Sequence, residues 1–175
     1  MKKIKVLLVF CCLAGMNSLA MAASWTVSQA PSNASVDKAA KVTNDSGDAL
    51  YLWPGKEKNS VELYGELQLG ADKTLSNKTP RYQIDQGTII KLNRIPVAPF
   101  KSKDGWLRVT DKMATWKLYT GDDKVIAQDE PFYNWLTGNR IRFIYFDANG
   151  IEKTTEFSLN GLSKSIVKAS GVKGE

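Results

Sequence analysis

Once the first two dozen residues are set aside, carboxylates are the only strong acid–base side chains in this sequence. There is no histidine among the 175 residues, and both cysteines, Cys11 and Cys12, fall in the leading segment. Without thiol or imidazole, the remainder lacks Ser-His-Asp and Cys-His nucleophilic machinery, Cys or His metal sites, disulfides and histidine pH switching. What is left for catalysis is a glycosidase-like carboxylate pair. The candidates are Asp122, Asp123, Asp129 and Glu130. Asp122 and Asp123 follow Gly121 in a turn, and Asp129 is placed to cap a helix. Neither setting provides an apolar pocket that would raise a carboxyl pKa, so these read as turn and cap residues and no catalytic residue is assigned. Asp147-Ala148-Asn149-Gly150 opens like a calcium loop but lacks the third oxygen ligand and the distal acid. It reads as a hairpin turn, and no metal or cofactor is assigned.

Recognition chemistry offers more. Arg140 and Arg142 share one face of a strand, with Ile141, Phe143 and Tyr145 on the other. Arginine beside aromatics is the composition that protein and anionic-glycan interfaces favour. Tyr64 and Tyr119 are expected on such a face, and Trp106 with Tyr64 offers rings that stack on sugars. The plainer account of Arg140 and Arg142 is that they keep a sheet face soluble or blunt an edge.

The leading segment sets the compartment. Lys2, Lys3 and Lys5, the apolar run Val6 to Gly15, and Ala20-Met21-Ala22 read as an export signal over residues 1–22. Ten apolar residues fall short of the roughly 20 that span a bilayer as helix. Phe10 before Cys11 does not fit a lipoprotein cleavage site, so the expected product is soluble in the periplasm or secreted. The formal charge of +6 comes from 24 Lys and Arg against 18 Asp and Glu. Without the three leader lysines it falls to +3. No polybasic tract remains to neutralise several phosphates at once, which argues against nucleic acid.

The elements that must hold these residues are mostly strands. The clearest runs from Val61 to Leu69, with apolar or small residues at odd positions and Glu62, Glu66 and Gln68 between them, a period of two. Val61 to Gly70 resembles the opening strand of outer-membrane porins. However, the chain ends Gly171-Val172-Lys173-Gly174-Glu175 without the terminal aromatic strand of those proteins, and a protein that does not span the membrane is expected. Further strands are predicted over 49–53, 87–93, 105–110, 113–119, 124–127, 140–147 and 153–159. Asn149-Gly150 joins the last two as a hairpin. Two short helices are predicted, one capped by Asp129 and ended by Gly138, the other from Asn160 to Gly171. Residues 70–81 read as a loop, most flexible over Lys73 to Thr79. The organisation expected is a polar lead-in over 23–48, one β-rich domain over 49–170 and a flexible tail over 171–175. The fold class is mainly β, a small barrel or sandwich with two short helices. Trp53, Trp106, Trp116, Trp135, Phe143 and Phe157 are the expected large core residues.

Two stretches bear family resemblances. Residues 49–110 resemble bacterial SH3-like domains through Ala49-Leu50, Pro54-Gly55, Gly65-Glu66-Leu67, Gly87-Thr88-Ile89-Ile90 and Asp104-Gly105-Trp106-Leu107-Arg108-Val109. The departures are Tyr51-Leu52-Trp53, where that family has Asn-Val-Arg, and an insertion over 70–86. Residues 116–167 are similar to the closing segment of invasion-associated locus B proteins and of some periplasmic type VI secretion accessory proteins. The shared outline is Trp116, Leu136-Thr137-Gly138, Ile141 to Tyr145 and Phe157-Ser158-Leu159-Asn160-Gly161-Leu162; the cysteines usual in those proteins are absent. The first resemblance implies a module that binds peptidoglycan or polysaccharide. The second implies an exported accessory protein, and it carries no active-site residues over. The expectation is therefore a non-enzymatic envelope protein that binds another envelope or secreted protein. Cell-wall glycan binding and a carboxylate-dependent hydrolase are the alternatives.

Overall fold

Alternation of apolar and polar side chains builds a six-stranded sheet around the strand expected from it. In the computed structural model, residues 24–55, 60–92, 107–121 and 124–175 are described. The leader, Trp106, Asp122 and Asp123 lie outside them. The sheet comprises β1 (Thr26–Gln29), β2 (Lys38–Thr43), β3 (Ala49–Pro54), β4 (Val61–Gln68), β7 (Leu107–Val109) and β8 (Met113–Gly121), in the order β1-β2-β3-β4-β8-β7. Every pairing in it is antiparallel. On β4 the odd residues Leu63, Gly65 and Leu67 are buried, as the alternation requires. The other face is not the wet one expected from it: Glu62 and Glu66 are buried as well, and Glu66 accepts from the Asn33 amide and the Thr115 hydroxyl, both at 2.8 Å.

A second antiparallel sheet, in the order β11-β10-β5-β6, contains β5 (Arg81–Ile84), β6 (Ile90–Lys91), β10 (Arg140–Phe146) and β11 (Glu152–Ser158). The β10–β11 hairpin turns at Ala148-Asn149-Gly150. Gly150 takes φ +76° there, and the Asp147 carboxylate accepts the N–H groups of Asn149 and Ile151, both at 2.9 Å. A turn that consumes its acid in this way needs no cation. The inner faces of the two sheets share one core. Trp116, Trp135, Phe132, Phe143, Phe157 and Tyr82 form its aromatic centre, with the Trp116 and Phe143 rings 5.6 Å apart. Each such ring pair is worth about 0.5–1.5 kcal/mol beyond its buried area. Of the expected large core residues, every one that is described is buried. Neither of these sheets closes on itself among the described residues, so the barrel gives way to an open form of two main sheets and one short two-stranded pair.

Helix α1 (Tyr133–Thr137) lies against this core through Trp135, and α2 (Leu162–Ser170) covers β1, β2 and β3. Leu162 and Ile166, four apart on one face, are buried. Gly171 ends α2 in the left-handed region at φ +77°, its N–H reaching the Val167 carbonyl. Asp129 does not cap α1: the chain turns at 128–129 and the N-cap position falls three residues later, at Phe132.

Five further expectations are corrected. The polar lead-in supplies β1 and β2, and buried Trp25 ties it down: its indole N–H donates to the Ser158 carbonyl at 2.8 Å, and its own carbonyl accepts from Ser165 at 3.1 Å. The expected tail is held by fully buried Val172 and by β12 (Lys173–Gly174), which pairs in parallel with β9 (Val125–Ile126). The stretch 73–79 is pinned, since Leu75 is buried and the Ser76 N–H donates to the Phe146 carbonyl at 2.7 Å. The end of the predicted 70–81 loop leads into β5, whereas the strand expected over 87–93 is reduced to Ile90–Lys91 among its described residues.

No helix among the described residues is long and apolar enough to cross a membrane.

Candidate functional site

Strand β10 carries the arginines into the centre of the second sheet, flanked by β5 and β11. Arg142 sits opposite Gln83 on one side and Glu156 on the other, and Arg140 sits opposite Ser158. The opposite face, Ile141, Phe143 and Tyr145, is buried, as the alternation predicts. Arg142 is half-buried and donates to the Gln83 side-chain carbonyl, which fixes its guanidinium. Arg140 is 63% exposed and lies 3.3 Å from the Glu156 carboxylate, itself 42% exposed. An ion pair so open to water is worth about 0–1 kcal/mol and exchanges partners readily. Around the two guanidinium groups is a polar depression of about 190 Å³, bounded also by Asp85, Gln86 and Glu156.

Asp85 forms the far wall of this depression. It follows β5 in the turn closed by the Gly87 N–H on the Ile84 carbonyl, and it takes φ +49°, in the left-handed region. Aspartate visits that region more readily than most residues, and here the surroundings hold it there. Its Oδ1 accepts the Arg140 N–H at 3.0 Å and its Oδ2 the Asn139 N–H at 3.2 Å. Its own N–H donates to the Arg140 carbonyl at 2.9 Å.

On the other side of Asp85 lies a larger cleft of about 510 Å³ between the β5–β6 turn and α1. Tyr82, Ile84, Ile90 and Pro131 give it apolar walls, and Asp129, Asn134 and Thr137 line it with polar groups. Burial pushes the Tyr82 hydroxyl above its ordinary pKa, and neighbouring Trp135 offsets part of the rise. Glu130, next to Asp129 in the chain, is also raised, first by burial and then by the Asp129 charge.

Close packing of α1 on β5 shapes this cleft. A Cβ built on Gly138 would stand 2.5 Å from Ile84 Cγ2 and 2.8 Å from the Asn134 carbonyl oxygen. The φ of Gly138 is an ordinary −70°, so the constraint is space. Gly138→Ala is expected to cost about 2 kcal/mol in urea unfolding, the usual range for overpacking. It should also raise amide exchange across α1.

The remaining interface residues lie elsewhere. Tyr64 is on β4, in the other sheet; its hydroxyl donates to Glu62 at 2.7 Å and its ring stacks on buried Trp53 with centroids 6.1 Å apart. Tyr119 is not on an exposed face. Leu63 pairs with Tyr119 and Tyr64 with Lys117, leaving Leu118 as an extra residue, and this bulge turns Tyr119 inward against Phe132 at 6% exposure. Trp106, Asp122 and Asp123 lie outside the described residues. The arginines are thus joined with neither tyrosine. Their neighbours Gln83 and Asp85 could be found in the sequence only from the alternation of Arg81, Tyr82, Gln83 and Ile84, four residues that a loop reading easily absorbs. Among the described residues, no group of three or more Asp or Glu side chains is gathered closely enough to hold a metal ion.

No protein-family model, curated protein or solved structure matches the chain.

Proposed function

We propose that this is an exported, non-enzymatic binding or accessory protein of the bacterial envelope, acting through a protein–protein surface centred on Arg140 and Arg142. The arginine-lined depression is the observation that carries this reading. Arg142 is held ready by Gln83, while Arg140 has a partner it can exchange at little cost. Fixed and exchangeable guanidinium groups side by side suit a carboxylate-bearing protein surface, because guanidinium pairs with carboxylate in a planar, two-point geometry. The leader and the want of histidine and cysteine after it support the compartment and the non-catalytic role.

The test is recovery of partners from an envelope extract on the purified protein, compared with Arg140→Glu, Arg142→Gln and the double variant. Each variant is first checked for a native circular dichroism spectrum. The double variant is expected to lose about tenfold or more in recovery of at least one protein, since like charges now face one another. Unchanged recovery of every protein overturns the proposal, and so does recovery of peptidoglycan alone.

A further inference from the structure

Across the Asp85 ridge from the arginines, the 510 Å³ cleft is within the usual size for a ligand-binding pocket. It shares Asp85 with its arginine-lined neighbour but has none of that neighbour's cations. Tyr82, 2% exposed, and the half-buried Ile84, Ile90 and Pro131 make an apolar lining, while the two carboxylates, Asp85 and Asp129, are exposed. Neither lysine nor arginine is found among the described residues lining the cleft. Asp85 spends only part of its acceptor capacity on the Asn139 and Arg140 N–H groups, because an ionised carboxylate has about four lone-pair sites.

An apolar sleeve ending at carboxylates fits a side chain with an aliphatic stem and a cationic head. We infer that the cleft receives a lysine or arginine side chain of the partner protein, its stem against Tyr82, Ile84, Ile90 and Pro131 and its cation between Asp129 and Asp85. This rests on the protein-binding reading and deepens it. The partner segment presents an acidic residue to Arg140 and Arg142 and a basic one to the cleft, so that Asp85 stands between an arginine-bearing site and one whose only charged groups are carboxylates. A partner with the charges reversed would meet repulsion at both, which is how paired sites select.

The experiment titrates the ¹⁵N-labelled purified protein with N-acetyl-lysine methylamide and, separately, with its uncharged norleucine analogue. The lysine probe is expected to shift the Gly87, Thr137 and Gly138 amide resonances saturably, and the norleucine probe at least about fivefold more weakly. Asp129→Asn should weaken the lysine probe about threefold, as for an exposed ion pair. Asn134→Arg, at an exposed position of α1, should abolish binding by placing a cation in the cleft mouth. Equal response to the two probes, shifts that map elsewhere, or no saturable shift each overturns the assignment. Failure of the lysine titration while the arginine variants still lose a partner removes the cleft assignment alone. Lysine binding with partner recovery unchanged in those variants removes the envelope-partner reading and leaves the cleft.

Discussion

Asp48→Ala is expected to lower the unfolding free energy by about 3 kcal/mol, because it removes a fully buried carboxylate on which four donors converge. The Gly70 N–H donates to Oδ1 at 2.8 Å. The Lys73 ammonium, the Thr155 hydroxyl and the Ser46 hydroxyl reach Oδ2 at 2.7, 2.5 and 3.1 Å. These donors come from the β2–β3 turn, the 70–79 segment and β11, so this one side chain, at the entry to β3, joins both sheets. The alanine variant takes the acceptor from the half-buried Gly70 N–H and from the buried Thr155 O–H, whose oxygen keeps only the Asn44 amide, and a lost partner costs more than a hydrogen bond gains. Urea unfolding with an unchanged m value is the measurement.

The same carboxylate makes part of the stability depend on acid. Burial alone would raise its pKa, but the Gly70, Lys73 and Thr155 hydrogen bonds and the Lys73 charge outweigh burial and hold it below the ordinary aspartate value. A folded-state pKa depressed in this way gives stability that is fully present above the unfolded value, about 3.9, and is lost as pH falls through the folded value. The gap in stability between the native protein and Asp48→Asn should therefore stay constant from neutral pH down to about pH 5 and narrow below about pH 4. A gap that does not change down to the acid unfolding limit would show that the ionised form is not the stabilising one.

Gly65→Ala is the second large effect, expected at about 3 kcal/mol and opposite in sign to the usual outcome. Glycine inside a strand costs roughly 0.5–1 kcal/mol relative to alanine, so the substitution ordinarily stabilises. Here a Cβ would stand 2.5 Å from Trp116 Cζ2 and 2.6 Å from Cε2. Trp116 cannot yield: it is fully buried, with Phe143 at 5.6 Å and Trp135 at 6.3 Å. Added volume in such a core forces neighbours off their rotamers. In a Trp116→Leu background the added methyl should become nearly neutral, giving a coupling above about 1 kcal/mol. Additive effects of the two substitutions would show that the indole is not the obstacle.

Gly65 also shows what a sequence can and cannot disclose. The odd-numbered register of Val61 to Leu69 places it on the inner face, because pleating forces alternate side chains to opposite sides of a sheet. The ring that lies over it comes from Trp116 on β8, 51 residues along the chain, and no local pattern names that partner. Tyr119 fails for a related reason. Its spacing from Lys117 predicts the same face, but one extra residue at Leu118 reverses the parity. A bulge is defined by the partner strand's register and leaves no mark on the strand's own alternation.

Local rules acting on the residues were enough for the mainly β class, the Asn149-Gly150 hairpin, the two short helices and the split of Arg140 and Arg142 from Ile141, Phe143 and Tyr145. Each of these follows from a rule acting over a few neighbouring residues: pleat period, turn geometry or helical period. Tertiary structure alone decided that residues 26–43 complete the large sheet, that Asp48 is a buried junction, and that Gln83 and Asp85 stand beside the arginines. These depend on pairing between segments tens of residues apart, where burial and register across the whole core, rather than local preference, select the arrangement.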